Sequence, residues 1–288
     1  MRNLWIVPLV LCACAVQHSQ PTASGTVASA ASVSGDHTPL PADAAHVAER
    51  LTNSPRHGEY AMVHTPDGDS VKVWIVYPQR ATPAPVVVVI HEIYGLSSWV
   101  RGVADQLAAD GFVAIAPDLL TMTNAPRVAD TVATQDATVA FRTLNADRVQ
   151  RQIDAVAKYA MDLPGAAHTY GIVGFCRGGD FSFGHAAHSP SLGASIVYYG
   201  IAPPAAALQT VRAPVLGLYG GADARVDATI APTDSAMRAL GKTYVHFAYD
   251  SAGHGFLRQQ DGMNGANMRA TQQAWPATIA WLRKYLGG

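Results

Sequence analysis

Cysteine is scarce in this chain of 288 residues: Cys12 and Cys14 sit at the extreme N-terminus, and only Cys176 lies in the body. That scarcity excludes a disulfide-stapled scaffold. If the N-terminus is removed in an oxidising compartment, Cys176 has no intramolecular partner, and a lone thiol there is either buried and inert or kept for its chemistry. An excess of charge of one sign is also missing. The net charge is -1, with 20 basic and 21 acidic residues, so nothing points to nucleic acid or to an anionic membrane surface as partner. Beyond the N-terminus no apolar run reaches the roughly 18 residues that would mark a membrane span, and no fixed-period repeat marks a solenoid. The 11 histidines show no ligand spacing such as His-Glu-x-x-His, so neither a metal nor an organic cofactor is implied.

What is present begins with a targeting segment. Arg2 supplies a short positive region, and the apolar stretch from Leu4 to Leu11 is too short for a comfortable span. Leu11-Cys12-Ala13-Cys14 resembles a bacterial lipobox with lipid attachment at Cys14; the cysteine at its second position is unusual, and ordinary cleavage near Ala13 or Ala15 is the alternative. The chain is therefore expected to be exported, as a periplasmic or membrane-anchored lipoprotein of a bacterial envelope, with residues 1–14 as signal. Residues 15–56, rich in Ala, Ser, Thr, Gly and Pro, read as a flexible tether with a short helix over Ala42 to Leu51. The folded domain is expected over 57–288, with a monomer favoured.

Within that domain, segments 60–64 and 71–77 flank Pro66-Asp67-Gly68-Asp69 and read as a hairpin. The β-branched run Val86-Val87-Val88-Val89-Ile90 is expected to be a strand buried on both faces. A helix follows over 97–110 and a strand over 112–116. Residues 121–145, rich in Thr, Ala and Asn, read as a weakly patterned insertion over the sheet edge. Helix 147–161, strand 169–175, helix 178–188, strands 194–199 and 214–219, helix 229–240, strand 243–249 and a last helix from Ala270 to Leu286 complete the pattern. This alternation implies an α/β fold with a mostly parallel central sheet and helices on both faces. Sites in such sheets lie beyond the carboxyl ends of the strands.

Four stretches sit at that edge. In Gly174-Phe175-Cys176-Arg177-Gly178 an apolar strand turns into a helix, with small residues two before and two after the cysteine, as a sharp nucleophile elbow requires. No Gly-x-Ser-x-Gly occurs, so no serine competes for that place. The helix N-terminus is expected to favour a thiolate, against the alternative of a buried structural cysteine. In Gly220-Gly221-Ala222-Asp223, Asp223 suits the acid that orients a histidine; a plain turn is the alternative, and Asp227 competes for the role. In Gly253-His254-Gly255, His254 sits on a close-approach loop that suits a general base. The order Cys176, Asp223, His254 is that of α/β-hydrolases. Finally, His91-Glu92-Ile93-Tyr94-Gly95 follows the buried run where this fold donates one oxyanion amide, here Ile93, with Arg177 donating the other.

These stretches, together with Ala116-Pro117-Asp118-Leu119, Tyr198-Tyr199-Gly200 and Phe256-Leu257-Arg258, give residues 57–288 a resemblance to the dienelactone hydrolase family, of the α/β-hydrolase fold. The resemblance implies a Cys176-His254-Asp223 triad acting on a small-molecule ester or lactone. It also implies a resting thiol hydrogen-bonded to Glu92, and Arg258 drawing Glu92 away when substrate binds. Tyr199 would line the pocket, the alternative being a core aromatic; for Arg258 the alternative is a solvated surface charge. One departure stands out. Members that act on muconate-type lactones carry an arginine shortly after Pro-Asp-Leu, where this chain has Met122, and Arg127 lies too far along to replace it. The chemistry is therefore expected to be kept and the substrate to differ: a broad carboxylesterase without lactone preference is one alternative, a non-catalytic envelope binding module another.

Overall fold

Residues 40–123, 125–128, 131–132 and 134–287, with Met1, are described in a computed structural model of the protein. The signal segment with Cys14 and most of the tether lie outside the described residues. Helix α1 (Val47–Thr52) leads into the expected hairpin of β1 (Gly58–His64) and β2 (Ser70–Val76), in register from Gly58 opposite Val76 to His64 opposite Ser70. Then follow β3 (Ala84–Ile90), α2 (Ser98–Ala109) and β4 (Val113–Pro117). The insertion holds a short ribbon of β5 (Arg127–Val128) and β6 (Thr131–Val132) and a helix, α3 (Thr134–Thr143). The remainder alternates: α4 (Ala146–Met161), β7 (Ala166–Phe175), α5 (Arg177–His188), β8 (Ala194–Tyr198), α6 (Ala205–Leu208), β9 (Val215–Gly220), α7 (Ala224–Ala239), β10 (Tyr244–Tyr249) and α8 (Ala266–Leu286).

The main sheet has eight strands in the order β1-β2-β4-β3-β7-β8-β9-β10. Only the β1–β2 and β2–β4 pairs are antiparallel. Every residue of β3 is buried, because its two faces serve two cores. Val86, Val88 and Ile90 pack with Val149, Ile153, Val156 and Phe183 of α4 and α5. Val87 and Val89 pack with Val103 and Leu107 of α2, in a core that also holds Trp275, Ile279 and Leu282 of α8. Each such side chain contributes roughly 1.5–3 kcal/mol relative to an exposed one, so the centre of the sheet is the stable platform on which the edge loops are mounted.

Three boundaries differ from the sequence reading. The body begins well before His57: α1 packs on α2, with Val47 buried against Gly102, where a Cβ would lie 2.2 Å from Val47 Cγ2. Helix α7 starts at Ala224, because Asp223 caps it and its interior Pro232 does not break it. Helix α8 starts at Ala266 and carries Pro276 inside. In both cases tertiary packing holds a helix whose own sequence pattern is weak.

Candidate active site

Strand β7 ends in the turn that the glycine spacing predicts. Cys176 has φ 54° and ψ -119°, a backbone conformation that L-residues rarely adopt, and such strain persists only where the surroundings impose it. Here they do. The Cys176 amide donates to the Tyr198 carbonyl at 3.0 Å, and the amides of Gly179 and Asp180 donate to the Cys176 carbonyl at 2.9 and 3.2 Å. A Cβ at Gly174 would lie 2.0 Å from the Gly178 oxygen, and one at Gly178 would lie 2.5 and 2.4 Å from the oxygens of Ile90 and His91. The elbow thus rests directly on the loop that follows β3. Asp180 braces it from below: its Oδ1 accepts the Ile201 amide at 2.7 Å and its Oδ2 pairs with Arg177 at 2.6 Å.

Two more loops meet beside it. The β9 and β10 turns are tied together by the Gly221 amide donating to Tyr249 O at 2.8 Å and the Ala222 amide donating to Ala252 O at 2.9 Å. A Cβ at Gly220 would lie 2.5 Å from the Gly253 oxygen, so the two backbones touch. This contact brings Asp223 Oδ2 to 2.5 Å from His254 Nδ1. The geometry selects Asp223 over Asp227, whose buried Oδ1 has no hydrogen-bond partner among the described residues. The Asp223 side chain is 9 % exposed and that of His254 is 35 % exposed, so the ring keeps access to solvent and substrate. The rings of Tyr199 and His254 lie 5.0 Å apart. Tyr199 itself is fully buried, adopts φ 42°, and has no partner for its hydroxyl among the described residues.

The loop after β3 carries the third part. Glu92 is 6 % exposed and faces Arg258, whose Nε lies 3.3 Å from Glu92 Oε2. The Arg258 guanidinium also lies 4.8 Å from the centre of the Tyr94 ring. Burial pushes the Glu92 carboxyl up to about 7, against the pull of Arg258. Burial, then the Glu92 charge, push the Cys176 thiol up to about 11, while the Arg177 amide and Arg225 pull the other way. The helix-terminus expectation of a thiolate is thus overturned, because desolvation outweighs the backbone dipoles. The thiol–Glu92 hydrogen bond implied by the resemblance gives way here to the ion pair of Glu92 with Arg258.

His91 is a part the sequence reading passed over. It is completely buried, and its Nε2 accepts the Leu119 amide at 2.9 Å. Its Nδ1 must therefore carry the proton, which it donates to the Glu92 carbonyl at 2.5 Å. Its T-shaped packing on Phe141 of α3, at 5.6 Å, ties the loop to the insertion. A neutral residue directly after a buried strand, beside the acidic one, was the available signal. Met122, at the place of the expected arginine, instead lines a cavity of about 490 Å³ with Leu119, Ala125, Val139 and Leu144. The Arg127 side chain lies outside the described residues.

Comparison with known proteins identifies the family. The family model described as the dienelactone hydrolase family matches residues 71–286. A Salmonella typhimurium protein provisionally named carboxymethylenebutenolidase is 31 % identical over 251 residues, covering 78 % of this chain and 92 % of that one. A Bradyrhizobium protein provisionally named 2-oxo-3-(5-oxofuran-2-ylidene)propanoate lactonase is 28 % identical over 235 residues, covering 77 % and 92 %. Among solved structures, one from Klebsiella pneumoniae, provisionally titled a dienelactone hydrolase, superposes with a TM-score of 0.69 at 26 % identity, covering 80 % of this chain and 100 % of that one.

Proposed function

Because this chain belongs to the dienelactone hydrolase family, and so is a hydrolase of ester or lactone bonds, we propose that Cys176 is its nucleophile. His254 is then the general base and Asp223 the residue that orients it. The observation that carries this reading is the Asp223–His254 contact at 2.5 Å, with the His254 ring 5.0 Å from that of Tyr199, which follows the Tyr198 carbonyl that accepts the Cys176 amide. With Nδ1–H held by Asp223, His254 presents Nε2 as the base.

The steps follow from these roles. His254 takes the thiol proton as sulfur attacks the carbonyl carbon. The amides of Ile93 and Arg177 hold the oxyanion, an interaction worth roughly 3–4 kcal/mol per donor in related chemistry. The carbon–oxygen bond breaks, the leaving oxygen takes the proton from His254, and a thioester remains. Water, deprotonated by His254, then cleaves the thioester and restores the thiol. Glu92 and Arg258 form the gate of this cycle. The thiol, pushed up to about 11, stays protonated at rest, which spares it from oxidation. Glu92 is already paired with Arg258 before substrate binds; substrate engagement keeps it there while sulfur ionises towards His254. Tyr199, fully buried, is the core aromatic that packs beside His254 and does not line the pocket.

The substrate is a small ester or lactone, with neutral esters favoured. Support for the neutral preference is Met122, which offers no charge to a substrate carboxylate. Residues 1–14 act as an export signal with lipid attachment at Cys14, placing the enzyme at a bacterial envelope; the intact mass of the mature protein from membranes tests this. Hydrolysis of a neutral chromogenic ester and of a charged lactone, by wild type and Cys176→Ala, tests the rest. An unchanged rate in Cys176→Ala refutes the nucleophile, and a preference for the charged lactone refutes the substrate class.

A further inference from the structure

The segment ahead of the hairpin is fastened at two places. One is α2: Arg50 Nη2 donates to Gln106 Oε1 at 2.7 Å, and both Ser54 Oγ, at 2.5 Å, and Arg56, at 2.9 and 2.6 Å, donate to the buried Asp105 carboxylate. The other is the loop that carries Arg258. The Ala44 amide donates to the Arg258 carbonyl at 3.0 Å. The Gln260 side chain, itself 5 % exposed, donates through Nε2 to the Pro41 carbonyl at 2.8 Å and to the Leu257 carbonyl at 3.1 Å. Asp43, buried, stiffens the turn between them by accepting the amides of Ala45 and His46 at 3.1 and 2.9 Å. This strap lies outside residues 71–286, the part matched by the family model.

We propose that residues 41–44 of the strap, with Gln260, are positioning residues for Arg258, holding its guanidinium against Glu92. The inference rests on the gating role assigned above to Glu92 and Arg258. The physical reason is one of anchoring. Among the described residues Arg258 has a single charged contact, Glu92 at 3.3 Å, where its Nε makes no hydrogen bond, and its guanidinium otherwise meets the Tyr94 ring at 4.8 Å, so the ion pair is loosely aligned and does not by itself fix the side chain. The backbone from which Arg258 projects must be held instead. The bonds of residues 258 and 260 to residues 44 and 41, with Gln260 also bonded to the Leu257 carbonyl, do this. Displacement of a charged group by even ~1 Å from its working position costs up to about a hundredfold in rate. The charged and titratable groups that face Glu92 are Arg258, Cys176 and Tyr199, and of these only Arg258 is carried by the strap-bound loop.

The test uses the full chain, a neutral chromogenic ester and a series of pH values. Gln260→Met keeps the side-chain volume and removes the donor; Ala44→Pro removes the amide. Both are expected to lower kcat/KM roughly ten- to a hundredfold, approaching Arg258→Ala. Both should also move the limb of the profile set by Glu92 to higher pH, because the positive charge that draws its titration down has moved away. In an Arg258→Ala background, Gln260→Met should change nothing further. A slow Arg258→Ala beside a Gln260→Met with wild-type rate and unmoved limb overturns the inference, as does full additivity of the two, or a drop in Tm alone. Should Ala44→Pro fail to fold, Gln260→Met decides by itself. An Arg258→Ala at wild-type rate with an unmoved limb instead overturns the gating reading on which the inference stands.

Discussion

Asp223 and Glu92 are both carboxylates on loops that leave the carboxyl edge of one sheet, yet they live in opposite surroundings. Asp223 lies against a histidine that reaches solvent and its side chain accepts the Val226 amide of α7, so its carboxylate has partners on two sides. Glu92 is walled in, faces a single guanidinium, and is pushed up to about 7 by burial. The same functional group thus has two hydrogen-bonding partners in one loop and, in the other, a single guanidinium among the described residues and a carboxyl pushed up by burial. The difference comes from what the loops rest on: the Asp223 turn touches a backbone loop at Gly253, while the Glu92 loop is sealed between the elbow glycines, His91 and Arg258. An acid fixed by two hydrogen bonds suits a constant task, orienting His254, and a buried one pushed up to about 7 suits a switch.

The comparison can be broken most severely on the Asp223 side. Cys176→Ala should remove ester hydrolysis by roughly 10⁵-fold or more, and Asp223→Asn should lower kcat by about 10⁴-fold, because the wrong tautomer of His254 would then be favoured. Asp227→Asn, measured alongside in the same assay, should stay near wild type, since the imidazole contacts Asp223. Steady-state kinetics check all three. Next in size is Gly178→Ala, whose new methyl group would meet the oxygens of Ile90 and His91 at 2.5 and 2.4 Å. It should destabilise the fold by about 3 kcal/mol, read by urea denaturation.

On the Glu92 side the effects are smaller and depend on pH. Glu92→Gln removes the negative charge that raises the Cys176 thiol, so alkylation of Cys176 at pH 8, followed on its tryptic peptide by mass spectrometry, should be faster than in wild type. The same variant sharpens the contrast in stability. Glu92 titrates in the fold near 7, above the usual carboxylate value of 4.5. Its contribution to stability is therefore fully present below pH 4.5 and is lost as pH rises through 7. Glu92→Gln should raise Tm relative to wild type at pH 8 and leave it nearly unchanged at pH 5.

Much of this site can be read along the chain. The run Val86 to Ile90 announces a doubly buried strand, and the hairpin register agrees with its turn residues. Gly174 and Gly178 announce the elbow, because a side chain at either position would collide with backbone only a few residues or one strand away. The strap is not legible in the same way. Val47, Pro41 and Ala44 acquire meaning only through Gly102, Gln260 and Arg258, distant in sequence, and a short segment without periodicity looks like linker. The insertion hides α3 for a related reason: its ordered face consists of Ala137, Ala140 and Phe141, and the partners of Phe141 are His91 and Phe181 from other elements.

The amino-acid sequence by itself determined which chemical groups this protein has and the order in which they follow its strands, because turns and buried strands are specified by residues close together in the chain. Tertiary structure alone decided their states: a thiol pushed up to about 11, a carboxyl poised near 7, and an arginine held in place from behind. Those states depend on how much water is excluded and which charges are brought near, and both are set by residues that meet only when the chain has folded.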